Sequence, residues 1–129
     1  MKESKESLSF EIEFFEALVA QYGNFVDALI PLGDAYTKAG EYEKGLKIDL
    51  KLSRLRPNDP VVFYNLACSY SLLNEIDLAY SALERAILLG YNDFKYMLND
   101  ADLKNIVSMK TFPSFLKCVI EKAKKKMME

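Results

Sequence analysis

Acidic residues stand two positions apart in places, such as Glu41 with Glu43 and Asp100 with Asp102. Paired carboxylates are raw material for general acid–base chemistry, in which one group holds a proton and the other gives it up. Helix caps are also rich in acidic residues, and both pairs are expected there rather than at a reacting centre. Cys68 and Cys118 are the two thiols, and the chain contains no histidine. A thiolate or serine nucleophile therefore has no imidazole beside it, and a Cys/His zinc site cannot be assembled. The cysteines fit no metal-ligand spacing, so both are expected as small apolar side chains in a core or on a helix face. No glycine-rich phosphate loop occurs. The expectation is a non-enzyme with no cofactor and no metal.

Charge and composition narrow the class further. Seventeen basic residues face nineteen acidic ones, for a net charge of −2. A nucleic-acid binder would show a basic stripe, so nucleic acid is not an expected partner. Met1 to Ser7 is polar and has no apolar leader core. No run approaches the roughly 20 apolar residues that span a bilayer, so a membrane is not expected either. The expected location is the cytoplasm. At 129 residues, half of them apolar, one globular domain can bury a core without disulfide or metal staples.

The elements that would position any site follow from a recurrence. Pro31–Tyr42 and Asn65–Ile76 superpose at an offset of 34. Leu32 falls on Leu66, Gly33 on Ala67, Tyr36 on Tyr70 and Glu41 on Glu75. Gly45 falls on Ala79, Leu55 on Leu89, Asn58 on Asn92 and Asp59 on Asp93. A period of this size marks stacked helical hairpins. Leu, a small residue and an aromatic make a packed stripe on the first helix, and Gly45 and Ala79 are the small sites on the second. Gly40 and Asn74 stand where each first helix must stop, and both residue types accept the left-handed conformation of a helix end. Asp59 before Pro60 reads as an N-cap followed by proline in the first turn, and Asp93 repeats the cap.

This pattern resembles the tetratricopeptide repeat (TPR) family. One copy reads Leu29, Leu32, Gly33, Tyr36, Gly45, Asp49, Pro57, and the other reads Phe63, Leu66, Ala67, Tyr70, Ala79, Leu83, Tyr91. The family's tryptophans are missing, Asp49 replaces an aromatic and Tyr91 replaces the proline. The resemblance implies an all-α right-handed array of helical hairpins. Residues 1–7 form a flexible N-terminus and 8–22 a lone second-type helix. Repeats follow over 26–59 and 60–93, and a degenerate capping unit over 94–127 has its final helix from about 113 to 126. Asp100, Asp102 and Leu103, followed by Phe112 and Phe115, carry the resemblance to that cap, which covers the last apolar face.

The same resemblance implies a protein-interaction role. A concave groove would hold a peptide or partner helix on the outward positions of each first helix. These are Asp27, Ile30, Pro31, Asp34, Thr37 and Lys38 in the first repeat. The second contributes Val61, Tyr64, Asn65, Cys68, Ser71 and Leu72, and the cap Lys95 and Asn99. Some TPR proteins use a two-carboxylate clamp to hold the acidic C-terminal tails of heat-shock chaperones, with a lysine where Ile30 stands, an asparagine where Asp34 stands and a basic residue where Asn99 stands. Asn65 and Lys95 match that clamp. Ile30, Asp34 and Asn99 do not, and a carboxylate beside Asp27 and Asp34 would meet like charge. The groove is therefore expected to prefer an apolar or basic segment.

Local physics adds further expectations. Pro31 inside a helix removes a backbone hydrogen bond, so a kink is expected there, or a helix that begins late, near Asp27. Asp49 is expected to be partly solvated or beside a basic side chain. Phe10 and Phe14 would face a missing repeat, which makes them candidates for self-assembly into a homodimer or for cover by the final helix. The lysines at 122 and 124–126 read as a solvated helix end that opposes the negative pole of its dipole.

Overall fold

The computed structural model describes residues 4–129. Its described residues form an all-α array of helices packed in adjacent pairs, without strands. Eight α-helices and one turn of 3₁₀ helix follow in order. They fall into two compact units that divide between Pro57 and Asn58. Such a division is natural where each hairpin packs mainly on its sequence neighbours.

The first unit holds α1 (Lys5–Gln21), α2 (Val26–Lys38) and α3 (Tyr42–Leu55). α1 packs on α2, and α2 on α3. Ser4 caps α1 by accepting from the Ser7 amide at 3.1 Å, so the helix starts earlier than the expected 8, and residues 4–7 belong to its cap and first turn. The remainder of the expected flexible N-terminus, residues 1–3, lies outside the described residues. α2 starts after Phe25, which offers no side-chain cap, and runs unbroken through Pro31. The helix begins at Val26, next to the expected Asp27, which puts Pro31 in the second turn and leaves the Asp27 carbonyl without an i+4 donor.

Two glycines explain how closely α2 and α3 approach. A Cβ added at Gly33 would lie 3.1 Å from Ile48 Cγ2, and one at Gly45 would lie 3.1 Å from Thr37 Oγ1. The unit's core is Ala28, Leu29, Leu32, Ala35, Tyr36 and Leu52. Asp49 is buried, only 8% exposed, with Oδ1 over the backbone of Gly33. The expectation of partial solvation is corrected here. A carboxylate is shorter than the aromatic it replaces and fits the narrow space beside a glycine. It is not an orphan, since Ser71 Oγ is the buried polar atom without a partner among the described residues.

The second unit holds α4 (Pro60–Leu72), α5 (Ile76–Leu88), α6 (Phe94–Asn99), a 3₁₀ turn (Ala101–Leu103), α7 (Lys104–Val107) and α8 (Phe112–Met127). α4 and α5 form a hairpin, α8 packs on α5, and the 3₁₀ turn and α7 pack on α4. Asp59 accepts from the amides of Val61 and Val62 with Pro60 in the first turn. Asp93 accepts from the Tyr96 amide at 3.1 Å. Ala67 and Ala79, where the first unit has Gly33 and Gly45, are fully buried. Phe112 anchors α8 beneath Tyr80 and beside Phe115.

The recurrence of Tyr36, Gly40 and Glu41 with Tyr70, Asn74 and Glu75 has one cause. Gly40 and Asn74 take φ of 78° and 57°. This lets the Glu41 and Glu75 amides reach back to the Tyr36 and Tyr70 carbonyls, each at 2.9 Å. That is the helix-ending bond of the Schellman motif. Gly90 ends α5 in the same way.

Candidate protein-binding surfaces

In the first unit, α2 turns Asp27, Ile30, Asp34 and Lys38 to solvent, with Pro31 and Thr37 half-buried. Ile30 is 46% exposed. Asp34 pairs with Lys38 at 3.1 Å along the helix surface, which reduces the bare negative charge expected of that face. Thr37 spends its hydroxyl on the Gly33 carbonyl at 3.1 Å. The face thus offers an apolar centre, one aspartate, and an aspartate–lysine pair.

On the matching face of the second unit, Tyr64 is 4% exposed, and Cys68 and Ser71 are also buried. The chain's own capping segment covers them. Tyr64 stacks on Tyr91 with centroids 4.2 Å apart and planes 5° from parallel. Its hydroxyl donates to Asp100 Oδ2 at 2.6 Å, and the Cys68 thiol approaches the same oxygen at 3.8 Å. Asp100 Oδ1 accepts from the Asp102 amide at 3.0 Å. Asn105 Nδ2 donates to the Ser71 carbonyl at 2.8 Å.

Tyr64 and Cys68 are therefore corrected from ligand-facing residues to members of an internal network. A buried phenol needs an acceptor, and Asp100 supplies it. Asn65 stays exposed, as do Lys95 and Asn99. Asn99 Nδ2 is taken up by the Lys95 carbonyl at 2.8 Å, so that side chain helps close its own helix.

One carboxylate of each pair sits at a helix N-cap position. Asp100 caps the 3₁₀ turn and anchors Tyr64, while Glu41 sits at the N-cap of α3 with Lys44 at 3.5 Å. Burial first, and then the hydrogen bond to Asp100, push the Tyr64 phenol far above its ordinary value of 10. Tyr91 is also raised, chiefly by burial. In the first unit, burial and a short hydrogen bond to Glu16 raise Tyr36. All three shifts favour the neutral phenol, which suits a packing role. No group of three or more metal-ligating side chains clusters among the described residues, and none of their helices is long and apolar enough to cross a membrane.

Two surface features lie away from these faces. Phe10 and Phe14 stack with centroids 6.5 Å apart and are 70% and 51% exposed. Tyr22 and Phe25 meet edge to face at 6.4 Å and line a shallow hollow of about 550 Å³ at the α1–α2 turn. The bond between Asp100 and Tyr64 was not legible in the sequence, where Asp100 is expected only as part of a capping turn. The segment carries no period, and nothing local pairs it with Tyr64, 36 residues away.

Neither a protein-family profile nor a solved structure matches the chain. A stretch of 88 residues is 38% identical to a protein of Arabidopsis thaliana that is described as chloroplastic. The match takes in 66% of this chain and 26% of that protein, so the chain spans about a quarter of its relative's length.

Proposed function

We propose that the chain is a TPR-like, non-catalytic protein-interaction module, and that the face of α2 receives an apolar or basic segment of a partner. The observation that carries this reading is the contrast between equivalent faces. Tyr64, Cys68 and Ser71 of α4 are covered by Asp100, Asn105 and Tyr91, whereas α2 leaves Asp27, Ile30 and Asp34 exposed. An apolar residue among acidic ones suits a segment that inserts an aliphatic side chain and points its cations at the aspartates. Each exposed ion pair contributes about 0–1 kcal/mol, so the apolar contact carries most of the affinity and salt weakens binding only modestly.

Titrating the chain with two labelled peptides tests this. One is basic and apolar, and the other ends in an acidic tail. The basic peptide binds more tightly, and Ile30→Ser weakens it about tenfold, the loss of roughly 1.4 kcal/mol. Tighter binding of the acidic peptide, unaffected by Asp34→Asn, would restore the two-carboxylate clamp and remove this reading. A cytoplasmic location is part of the proposal, and a plastid location competes with it through the description of the relative. A fluorescent fusion of the whole protein decides between them.

A further inference from the structure

We propose that copies of this chain associate head to tail, the Phe10–Phe14 face of α1 on one copy docking against the outer face of α8 on the next. These surfaces are distinct from the α2 face, so the inference stands apart from the peptide-binding reading.

α1 is the one helix among the described residues with no buried side chain. Its Phe10 and Phe14 stack on each other in solvent, and Glu6 and Glu13 line a shallow hollow beside Phe10. Over its length α1 carries four glutamates and one lysine. An acidic helix with an aromatic strip calls for a basic, apolar counterpart.

α8 has that character. It carries five lysines and one glutamate. Its inner side is committed to α5 through Phe112 and Phe115 against Tyr80, and through Lys122 on Glu84 at 3.1 Å. Roughly a quarter-turn around the helix, Leu116, Ile120 and Ala123 repeat at helical spacing. They form a second apolar strip that is only half-buried and runs out to exposed Met127. Exposed Lys117 and Lys124 border it. The two helices have 17 and 16 residues, so they match over about 25 Å at 1.5 Å per residue.

Charge also selects against the alternative contact. Two copies of α1 face to face would set acidic helix on acidic helix, and like-charge juxtaposition disfavours wrong partners. The interface is therefore heterologous, with different patches on the two copies.

The test uses the full chain in sedimentation velocity, from about 5 µM to about 500 µM at low salt, where mass action drives assembly. The average mass rises with concentration. Raising salt from about 0.05 M to about 0.5 M weakens association at least about fivefold, because exposed charges are screened. Glu6→Lys with Glu13→Lys stays monomeric, and so does Lys117→Glu with Lys124→Glu. An equimolar mixture of the two double variants associates again, since each supplies the complement the other lost. All four positions are exposed, and circular dichroism checks that each variant folds.

Wild-type chain that remains monomeric throughout overturns the proposal. So does a mixture no better than its components. Association strengthened by Glu6→Lys with Glu13→Lys alone would also overturn it, since that places an α1 pair at the contact.

Discussion

The α2–α3 and α4–α5 hairpins occupy equivalent places in the repeat, yet they meet solvent differently. Ile30 and Tyr64 hold the same position, as do Asp34 and Cys68. In each pair the first is exposed and the second buried. The cause lies after the hairpin rather than inside it. In the second unit the segment from Tyr91 to Asn105 folds back and provides an aromatic plate, a carboxylate and an amide for the face of α4. In the first unit α2 has α1 and α3 on its sides, and the face with Ile30 is left open. A repeat position therefore tells which way a side chain points along its helix, while the following element decides whether that direction leads to water.

Asp100→Ala should break this contrast most strongly. It removes a charged acceptor from a buried phenol, which costs about 1.5–3 kcal/mol, and a cap worth about 1 kcal/mol. We expect a loss of about 3 kcal/mol in urea unfolding, with Tyr64 fluorescence and Cys68 labelling both reporting a loosened cap. A loss under about 0.5 kcal/mol would mean the network does not hold the cap. The first unit's counterpart, Glu16→Gln on Tyr36, should cost no more than about 1 kcal/mol, because Glu16 is exposed and its amide replacement still accepts.

Pro31→Ala acts in the opposite direction. It restores a donor to the Asp27 carbonyl and relieves crowding in the second turn, against some gain of entropy in the unfolded chain. The expected gain is about 1–2 kcal/mol, read as a higher urea midpoint. The matching Asn65→Ala in α4, where no proline interrupts the second turn, should shift it by less than about 0.5 kcal/mol.

Alkaline pH probes the buried phenols. Tyr64 titrates at higher pH in the folded chain than in the unfolded one. Its contribution is therefore complete below the ordinary tyrosine value of 10. As pH rises past that value the unfolded state loses the proton first, and stability falls by about 1.4 kcal/mol per pH unit for this group. Tyrosinate absorbance should stay below the count for all tyrosines until the chain unfolds. A Tyr64→Phe chain should show a shallower alkaline loss. An unchanged slope would place the phenol in contact with water.

The smallest effect concerns Ser71, whose hydroxyl is buried with no partner among the described residues. Ser71→Ala removes that orphan and slightly raises helix propensity, so thermal melting should show a gain of about 0.5–1 kcal/mol. A loss would indicate a bound water on Ser71 Oγ. Thr37→Ala in the first unit removes a satisfied hydroxyl and should be neutral or slightly destabilising.

The sequence by itself determined the hairpins and the ends of their helices, though not the start of α1. Helical hairpins, the stops at Gly40 and Asn74, the caps at Asp59 and Asp93 and the anchoring of the last helix by Phe112 are local matters. Left-handed φ, side-chain capping and apolar spacing are each decided within a few residues, so they leave a readable period. The small-residue contact at Gly33 and Gly45 was legible for the same reason, since only small side chains at matched positions let two helices approach. The burial of Asp49 was not legible because burial depends on what lies opposite, and a glycine opposite leaves room for a carboxylate. The fates of Tyr64 and Cys68 were not legible at all. Their partner Asp100 lies in a segment without periodicity, and a hydrogen bond across 36 residues exists only once α4, α6 and the 3₁₀ turn have packed. Tertiary structure alone decided which outward face stayed open, because exposure is a property of neighbours rather than of a residue's own type or register.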